Sequence, residues 1–468
     1  MTPRPPRELS RREFLAAAGA AAALPLVDRI APSVAQPKRI KIRSVGLDFE
    51  REPLIRPTGF KGGFLTELWQ PVARLDGDSG RSHVGIGTQS VLWCDPAVLT
   101  KHSESAGNAL MLATTNHALQ LLVGESFTTP IELLDRILPA VHAYAVRVTG
   151  LPNLRRTFAL NALVPVDNAA WLLYAAENGF RSFDAMIPAE YRAGVSHRHR
   201  AVASLPSVTY ALPLADVVQA ARDGYFVIKL KLGQPGTQAE MLEKDVARLT
   251  EAHRALSAFR TPHTTDGKLR YDLDPNQRYE RKQTLLRLLD AARRIGALDQ
   301  VALVEEPFPD ENDESVSDVP VRIVADESAT RVDDALRRIQ QGYAGFALKG
   351  IAKTLSETLK IARLAHERRL ACMAADLTVN PVLVDWNKSV AARLAPFPGF
   401  TSGMMETNGH QQYRRWSEMS SWHPCAGASW RRVEGGVFVL NDDFYARSAC
   451  ILEEPAHYRD LVAPARTG

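Results

Sequence analysis

Two lysines separated by one residue lie in an apolar segment of the chain, Phe226–Gly233. In a β-strand, alternate side chains point to opposite faces, so Lys229 and Lys231 share one face and their apolar neighbours share the other. The apolar run favours a strand inside a sheet, whereas on an edge strand the same pair would only aid solubility. Interior ammonium groups need anionic partners or a lowered pKa, and a lysine with a lowered pKa can act as a general base.

Acidic side chains end the next three apolar segments of the chain, at Asp274, Glu305 and Asp326. Each acid alone could cap the helix that follows its strand. Three carboxylates on successive strands would repel one another unless a hard cation lay between them, and oxygen-only ligation suits Mg²⁺. Asp272 faces the same side as Asp274, so either could be the first ligand. The sequence therefore predicts a magnesium site opposite the lysine pair.

Short β-branched runs alternate with amphipathic helical periods after residue 207, which indicates βα units and a parallel sheet. Eight strands suit a TIM-like (β/α) barrel over 207–429, with its active site at the carboxyl ends of the strands. The acidic connection 308–320 has no helical period, so we expect no helix there. The predicted strands are 207–212, 226–233, 269–274, 301–305, 321–326, 345–349, 370–375 and 401–406. The predicted helices are 214–223, 239–256, 280–295, 332–341, 355–369 and 381–394.

A further lysine, Lys349, ends one of the later predicted strands. Taken alone it would be an ordinary residue at a strand end. In a closed barrel of eight strands its position is on the wall opposite the lysine pair. Lys231 and Lys349 would then place one base on each side of the metal site.

Residues 38–200 show strand-like patterns first and helical periods afterwards, which predicts an α+β capping domain. Helices are expected at 130–147 and 169–179. The segments 53–63 and 85–96 are rich in Gly, Pro and Thr and are expected to form loops. We expect residues 430–468 to form a C-terminal segment that packs back onto the capping domain.

The order of these motifs resembles that of the enolase superfamily, and most closely its muconate cycloisomerase-like branch in the mandelate racemase/muconate lactonizing enzyme family. The resemblance implies that Asp274, Glu305 and Asp326 bind Mg²⁺ and that Lys231 and Lys349 form the acid/base pair. It also implies that Lys229 is an auxiliary cation near the substrate carboxylate. The motifs that carry it are Lys229-x-Lys231, Asp274-x-Asn276, Glu305-x-Pro307, Asp326-Glu327-Ser328 and the late Lys349, with Asn276 and Glu327 at supporting positions.

Some motifs of that superfamily are missing from the chain. The Asp-x-Asp that dipeptide epimerases place on the last strand is absent from 404–409, so the resemblance does not support a dipeptide substrate. The paired glycines that follow the late lysine in many relatives are replaced by the sequence 350–354. His410 and His423 do not match the His and Asp dyad of the mandelate racemase branch.

The implied reaction is Mg²⁺-dependent removal of the proton next to a substrate carboxylate through an enediolate. Bases on both faces invert a stereocentre, so a racemase or epimerase is the first interpretation. A cycloisomerase or acid dehydratase of the same superfamily is the alternative, because either uses one lysine as the base and the other as an acid or electrostatic partner. A third hypothesis is an exported binding protein that kept the barrel and lost catalysis. A lysine base also requires a pKa below its usual value of about 10.4.

Composition narrows the class of protein. The chain has 468 residues, 45% hydrophobic and 24% charged, which is typical of a globular protein with more than one core. A net charge of +4 without a basic block argues against nucleic acid as a partner. The spacing of the four cysteines is not that of a metal site, and it permits one structural disulfide. We expect a small carboxylate substrate and a homo-oligomer.

The N-terminus has the pattern of an export signal. Arg11 and Arg12 precede an apolar stretch, 16–27, and a small-residue cleavage pattern at 33–35. This resembles a twin-arginine signal peptide over residues 1–36. The apolar stretch is shorter than the ~20 residues that a membrane span needs. We therefore expect export or a periplasmic location without stable membrane insertion, although an ordinary N-terminal tail would show paired arginines too.

Overall fold

The computed structural model describes residues 37–463, so the predicted signal peptide over 1–36 lies outside the described residues. Two sheets organise this part of the chain. One is a four-stranded antiparallel sheet, and the other is a parallel-rich sheet of eleven strands that includes the predicted barrel. The expectation of an α/β fold with a TIM-like barrel preceded by an α+β capping domain is confirmed.

The antiparallel sheet has the strand order β3-β2-β1-β4. The prediction of a loop at 53–63 is wrong, because these residues extend β1 and pair with β2 across a bulge after Pro53. Lys61 and Gly62 both have positive φ and form the two-residue turn that suits such a hairpin. The strands are β1 (Ile40–Phe60), β2 (Gly63–Gly77), β3 (Ser82–Ile86) and β4 (Ser126–Phe127).

Helices pack against this sheet. The helix predicted at 130–147 is confirmed and is α4, which begins after a Thr129 cap and ends at Gly150 in the left-handed conformation. The helix predicted at 169–179 begins 13 residues earlier, at Arg156, because α5 is buried almost all round and its first half shows no amphipathic period. The helices are α1 (Val91–Cys94), α2 (Pro96–His102), α3 (Glu104–Leu122), α4 (Pro130–Thr149), α5 (Arg156–Asn178) and α6 (Phe183–Met186).

The barrel follows the predicted alternation of strands and helices. Within the described residues, the connection 306–322 contains no helix, as expected. The strands are β5 (Ala201–Leu205), β6 (Ser207–Val208), β7 (Val227–Lys231), β8 (Arg270–Asp274), β9 (Val301–Glu305), β10 (Ile323–Ala325), β11 (Gly345–Leu348), β12 (Ala371–Ala374) and β13 (Gly403–Glu406). The helices are α7 (Leu214–Arg222), α8 (Gln238–Leu256), α9 (Lys282–Arg294), α10 (Val332–Gln340), α11 (Gly350–Lys353), α12 (Leu355–Arg368) and α13 (Pro381–Ala391).

The barrel closes at Pro206, the single residue between β5 and β6. β5 pairs with β13 and β6 pairs with β7, so the two ends of the parallel sheet are joined by one residue. Pro206 has no N–H to donate, but its carbonyl accepts a hydrogen bond from the Lys229 N–H at 3.4 Å. The prediction of a first strand at 207–212 is wrong, since the strand begins at Ala201 and the chain turns after Val208. Because Pro206 interrupts it, this strand is visible in the sequence only as two short apolar runs.

The C-terminal part of the chain contacts both sheets. β15 pairs antiparallel with β5, while Val462 accepts a hydrogen bond from Arg74 of β2. A disulfide joins Cys425 to Cys450 across 25 residues. None of the described helices combines the length and the apolarity of a membrane span. The remaining elements are α14 (Gly409–Gln412), α15 (Trp416–Ser421), β14 (Val433–Glu434), β15 (Val437–Val439), α16 (Asp442–Ala446) and α17 (Ala456–Leu461).

Candidate active site

Lys229 lies inside the barrel and is fully buried. Its ammonium group is 2.9 Å from both Glu305 oxygens, 3.0 Å from Asp274 and 3.0 Å from Glu406. Burial disfavours the charged lysine, but Asp274, Glu305 and Glu406 outweigh it and hold the pKa of Lys229 well above its usual value. The structure thus supplies the anionic partners that the strand pattern demands.

Lys231 lies one layer nearer the mouth of the barrel. Its ammonium group is 2.5 Å from Asp274, its register partner on β8. The same ammonium is 5.9 Å from the centre of the Phe60 ring, which belongs to the β1–β2 hairpin. Its side chain is 11% exposed, whereas Lys229 is fully enclosed. Lys231 is therefore the member of the pair that a small molecule can reach.

Lys349 follows β11 and pairs with Asp326 at 2.5 Å. It lies 4.4 Å from the centre of the Trp93 ring. Lys353, one helical turn later, contacts the other Asp326 oxygen at 3.2 Å. Burial works against the charge on Lys349, but Asp326 and then Glu327 and Glu305 raise its pKa. A lysine base requires a lowered pKa, whereas the pKa of Lys349 is raised. The cause is the ion pair that Lys349 forms with the negatively charged Asp326.

Asp272 and Asp274 have different surroundings. Asp272 pairs in register with Lys229, one layer deeper than Asp274, and neither of its oxygens has a hydrogen-bond partner within the described residues. Burial is the main cause that raises the pKa of Asp272 to about 7. Asp274 contacts both lysines of β7 and accepts a hydrogen bond from the Asn276 N–H at 2.9 Å. The position of Asp274 at the strand end favours it over Asp272 as the predicted ligand.

The two predicted supporting residues meet each other. Asn276 has a left-handed φ of 47°, and its side-chain amide donates to Glu327 at 3.2 Å. Lys61, at the turn of the β1–β2 hairpin, is 3.4 Å from the same Glu327 oxygen. Glu327 therefore connects the hairpin to the ends of β8 and β10.

A cavity lies between the barrel mouth and the hairpin. Lys231 and Lys349 both line it, so the structure brings the two predicted bases to one cavity. The Thr58 hydroxyl group of the hairpin donates a hydrogen bond to the Gln412 side chain at 2.6 Å, and this bond holds the hairpin against the barrel. The lining also includes Leu54, Phe60, Leu65, Leu68, Trp93, Ser207, Thr209, Asp376, Leu377, Glu406 and Asn408.

Among the residues of this region that sequence reasoning missed are Glu406, Asp376, Lys353 and Trp93. Glu406 ends β13 just as the predicted ligands end their strands, and this position was the signal that could have found it. Asp376 follows β12, and burial followed by the charge of Glu406 raises its pKa to about 6. Lys353 is one helical turn after Lys349, which is a weak signal. Trp93, in the short helix α1, has no sequence signal because only the tertiary fold brings it over Lys349.

The charge balance of this region suits a cation. Eight buried acids converge here with five lysines, and Arg338 also faces one of the acids, Glu306. The donors are all hard oxygens, which is the set that Mg²⁺ prefers. Asp274, Glu305 and Asp326 do not place three ligand atoms within 4.8 Å of one another; the group within residues 37–463 that does is Cys425, Cys450 and Glu453, whose cysteines are bonded to each other. The acids are Asp272, Asp274, Glu305, Glu306, Asp326, Glu327, Asp376 and Glu406, and the lysines are Lys61, Lys229, Lys231, Lys349 and Lys353.

Residues 214–414, which form most of the barrel, match the model of the family described as Enolase C-terminal domain-like. Among curated proteins, no significant sequence match to the chain was found.

Solved structures share the fold. A dipeptide epimerase from Cytophaga hutchinsonii, complexed with Mg and D-Ala-L-Val, is 19% identical with a TM-score of 0.57 over 80% of this chain and 88% of that one. A mandelate racemase/muconate lactonizing protein from Herpetosiphon aurantiacus is 16% identical with a TM-score of 0.59 over 86% and 96%. An N-succinyl Arg/Lys racemase from Bacillus cereus is 14% identical with a TM-score of 0.56 over 80% and 89%. At these identities the likeness shows the fold.

Proposed function

We propose that this protein is a Mg²⁺-dependent racemase or epimerase that exchanges the proton next to a substrate carboxylate. The observation that carries the proposal is that Lys231 and Lys349 line the same cavity from different walls. Counting β5 and β6 as one strand, β7 and β11 are four positions apart in a ring of eight. Two such lysines reach a bound substrate from opposite faces, which is the arrangement that inversion of a stereocentre needs.

Asp274, Glu305 and Asp326 are the residues that would hold Mg²⁺. When bound, the ion would act as a Lewis acid that stabilises the negative charge developing on the substrate carboxylate. Lys229, enclosed among Asp274, Glu305 and Glu406, fixes the positions of these carboxylates and keeps a positive charge behind the site.

The cavity lining indicates the substrate class. Leu54, Leu65, Leu68 and Leu377 form an apolar wall, while the lysines and acids lie on the barrel side. A ligand with a carboxylate at one end and an apolar group at the other would bury both ends favourably. We therefore propose small carboxylates with an apolar substituent at the reacting carbon or beyond it.

Incubation in deuterated water tests this function. N-acyl amino acids with apolar side chains and aromatic 2-substituted acids should gain deuterium at the α-carbon in the presence of Mg²⁺, with loss of optical purity. Proton NMR and chiral chromatography follow both changes. Deuterium gain without interconversion, accompanied by loss of water or ring closure, would replace the racemase by a dehydratase or cycloisomerase. An unchanged α-proton across the whole panel would favour the binding-protein hypothesis.

We also propose export through the twin-arginine segment. The disulfide between Cys425 and Cys450 supports this location, because such bonds persist in oxidising compartments. The variant with both Arg11→Lys and Arg12→Lys should remain in the cytoplasm with Cys425 and Cys450 reduced, while the unaltered chain should be exported and oxidised. Cell fractionation with thiol labelling measures both properties. Normal export of the double variant would contradict the proposal.

A further inference from the structure

A second cleft lies outside the barrel, between α13 and the residues that follow β13. Val384, Trp416 and Phe438 give it apolar walls, and Lys388, Arg431 and Arg432 give it positive charges. None of these residues takes part in the proposed reaction, so their grouping calls for a separate account.

A buried charged cluster forms the floor of this cleft. Lys388 is fully buried, and its ammonium group donates to Asp385 at 2.7 Å and to the Trp430 carbonyl at 3.1 Å. The other Asp385 oxygen is 3.3 Å from the Arg431 Nε atom and 3.1 Å from the His423 Nε2 atom. One carboxylate therefore faces a lysine, an arginine and an imidazole.

The Nδ1 atom of His423 accepts a hydrogen bond from the Cys425 N–H at 2.9 Å, and its Nε2 atom faces Asp385. The disulfide of Cys425 fixes this loop. The cluster thus contains two cations against one anion, and within residues 37–463 Asp385 is the carboxylate that contacts both.

Burying the surplus positive charge of this cluster is unfavourable. Burial is the main cause that lowers the pKa of Lys388, with the charge of Arg431 acting in the same direction. Arg431 uses Nη1 on the carbonyls of Ser420 and Ala426, which leaves Nη2 without a partner in the described part of the chain. Arg432 is exposed at the rim. An anion that reaches Arg431 Nη2 and Arg432 would balance the positive charge that Asp385 does not.

We infer that this cleft binds a small organic anion with one carboxylate and a flat apolar body. The carboxylate would meet Arg431 and Arg432 beside Lys388, and the body would pack against Trp416, Val384 and Phe438. A single carboxylate matches the single surplus charge of the buried cluster. The apolar walls favour an organic anion over a free inorganic one, whose hydration they could not replace.

The cleft and the catalytic cavity are separate but share one wall. Thr407 lines the cleft, whereas its neighbours Glu406 and Asn408 line the cavity. Binding in the cleft therefore needs neither Mg²⁺ nor the two cavity lysines. This inference does not rest on the proposed reaction and can fail independently of it.

Binding of 4-fluorobenzoate, followed by ¹⁹F NMR and calorimetry on the full chain, tests the inference. The variant with both Lys231→Ala and Lys349→Ala removes the cavity bases and should keep one benzoate site. Adding Lys388→Met removes one buried cation and leaves Asp385 paired with Arg431, so the surplus positive charge of the cluster is lost and that site should weaken at least ~10-fold. Arg432→Gln, at the exposed rim, should weaken it several-fold without affecting folding.

Uncharged 4-fluorobenzamide is the matched control ligand. It should bind at least ~10-fold more weakly than 4-fluorobenzoate, because the inference depends on charge. Equal binding of the two would overturn it, as would loss of all benzoate binding in the Lys231→Ala and Lys349→Ala variant. Absence of millimolar binding by the unaltered chain would overturn it as well. If the Lys388→Met variant misfolds, Arg432→Gln and the benzamide comparison still decide the question.

Discussion

Replacing Lys231 by alanine should abolish net interconversion of the two enantiomers, with a loss of about 10²- to 10⁴-fold or more, the range for one general acid or base. In a two-base racemase each lysine is the base for one enantiomer and the acid for the other. The surviving Lys349 should still exchange the α-proton of one enantiomer with solvent. Lys349→Ala should show the mirror result. Chiral chromatography measures interconversion, and deuterium gain measured separately for each enantiomer reports which base remains.

The two variants act as controls for each other, and Lys282→Ala supplies a neutral one. Lys282 pairs with Asp318 on the surface, far along the chain from both bases, so its loss should leave turnover unchanged. Full two-way interconversion by either cavity variant would rule out the two-base racemase. If Lys231→Ala alone stops exchange of both enantiomers, one-base elimination or cycloisomerisation becomes the better account.

The barrel and the lysine–acid pairing were predictable because strand parity is a local property. Lys229 and Lys231 share a face by the two-residue repeat, and the acids end strands whose carboxyl ends meet. Partner choice is not local. The sequence could not show that Lys349 pairs directly with Asp326, so it could not give the direction of its pKa.

The cover of the cavity was much harder to predict. Residues 53–63 contain Gly, Pro and Thr and resemble a loop, yet pairing with β2 across a bulge makes them a strand whose Leu54, Thr58 and Phe60 face the cavity. Trp93 reaches Lys349 through tertiary packing. The first barrel strand was misplaced because Pro206 removes one N–H without ending the strand's pairing.

Glu305→Gln should weaken Mg²⁺ binding at least ~10-fold, because a charged hard ligand becomes a neutral one. The substitution should leave the fold intact. Burial raises the pKa of Glu305 well above its usual value, and the nearby Asp274, Asp272 and Asp326 act in the same direction against the pull of Lys229. The neutral amide therefore resembles a protonated form that the folded protein tolerates, and it keeps an oxygen for Lys229.

Metal binding is measured separately from turnover, through its effect on Tm. Mg²⁺ at about 100 times its dissociation constant should stabilise the unaltered chain by about 2.7 kcal/mol, seen as a rise in Tm. Chelator should remove that rise and the activity together, and added Mg²⁺ should restore both. At the same Mg²⁺ concentration Glu305→Gln should show a smaller stabilisation, of about 1.4 kcal/mol or less, whereas Glu311→Gln, an exposed acid in the connection after β9, should behave like the unaltered chain. A Tm of the unaltered chain that does not change with Mg²⁺ would contradict the proposed magnesium site, as would turnover that survives chelation. In either case protons alone would balance the surplus of buried acids over lysines.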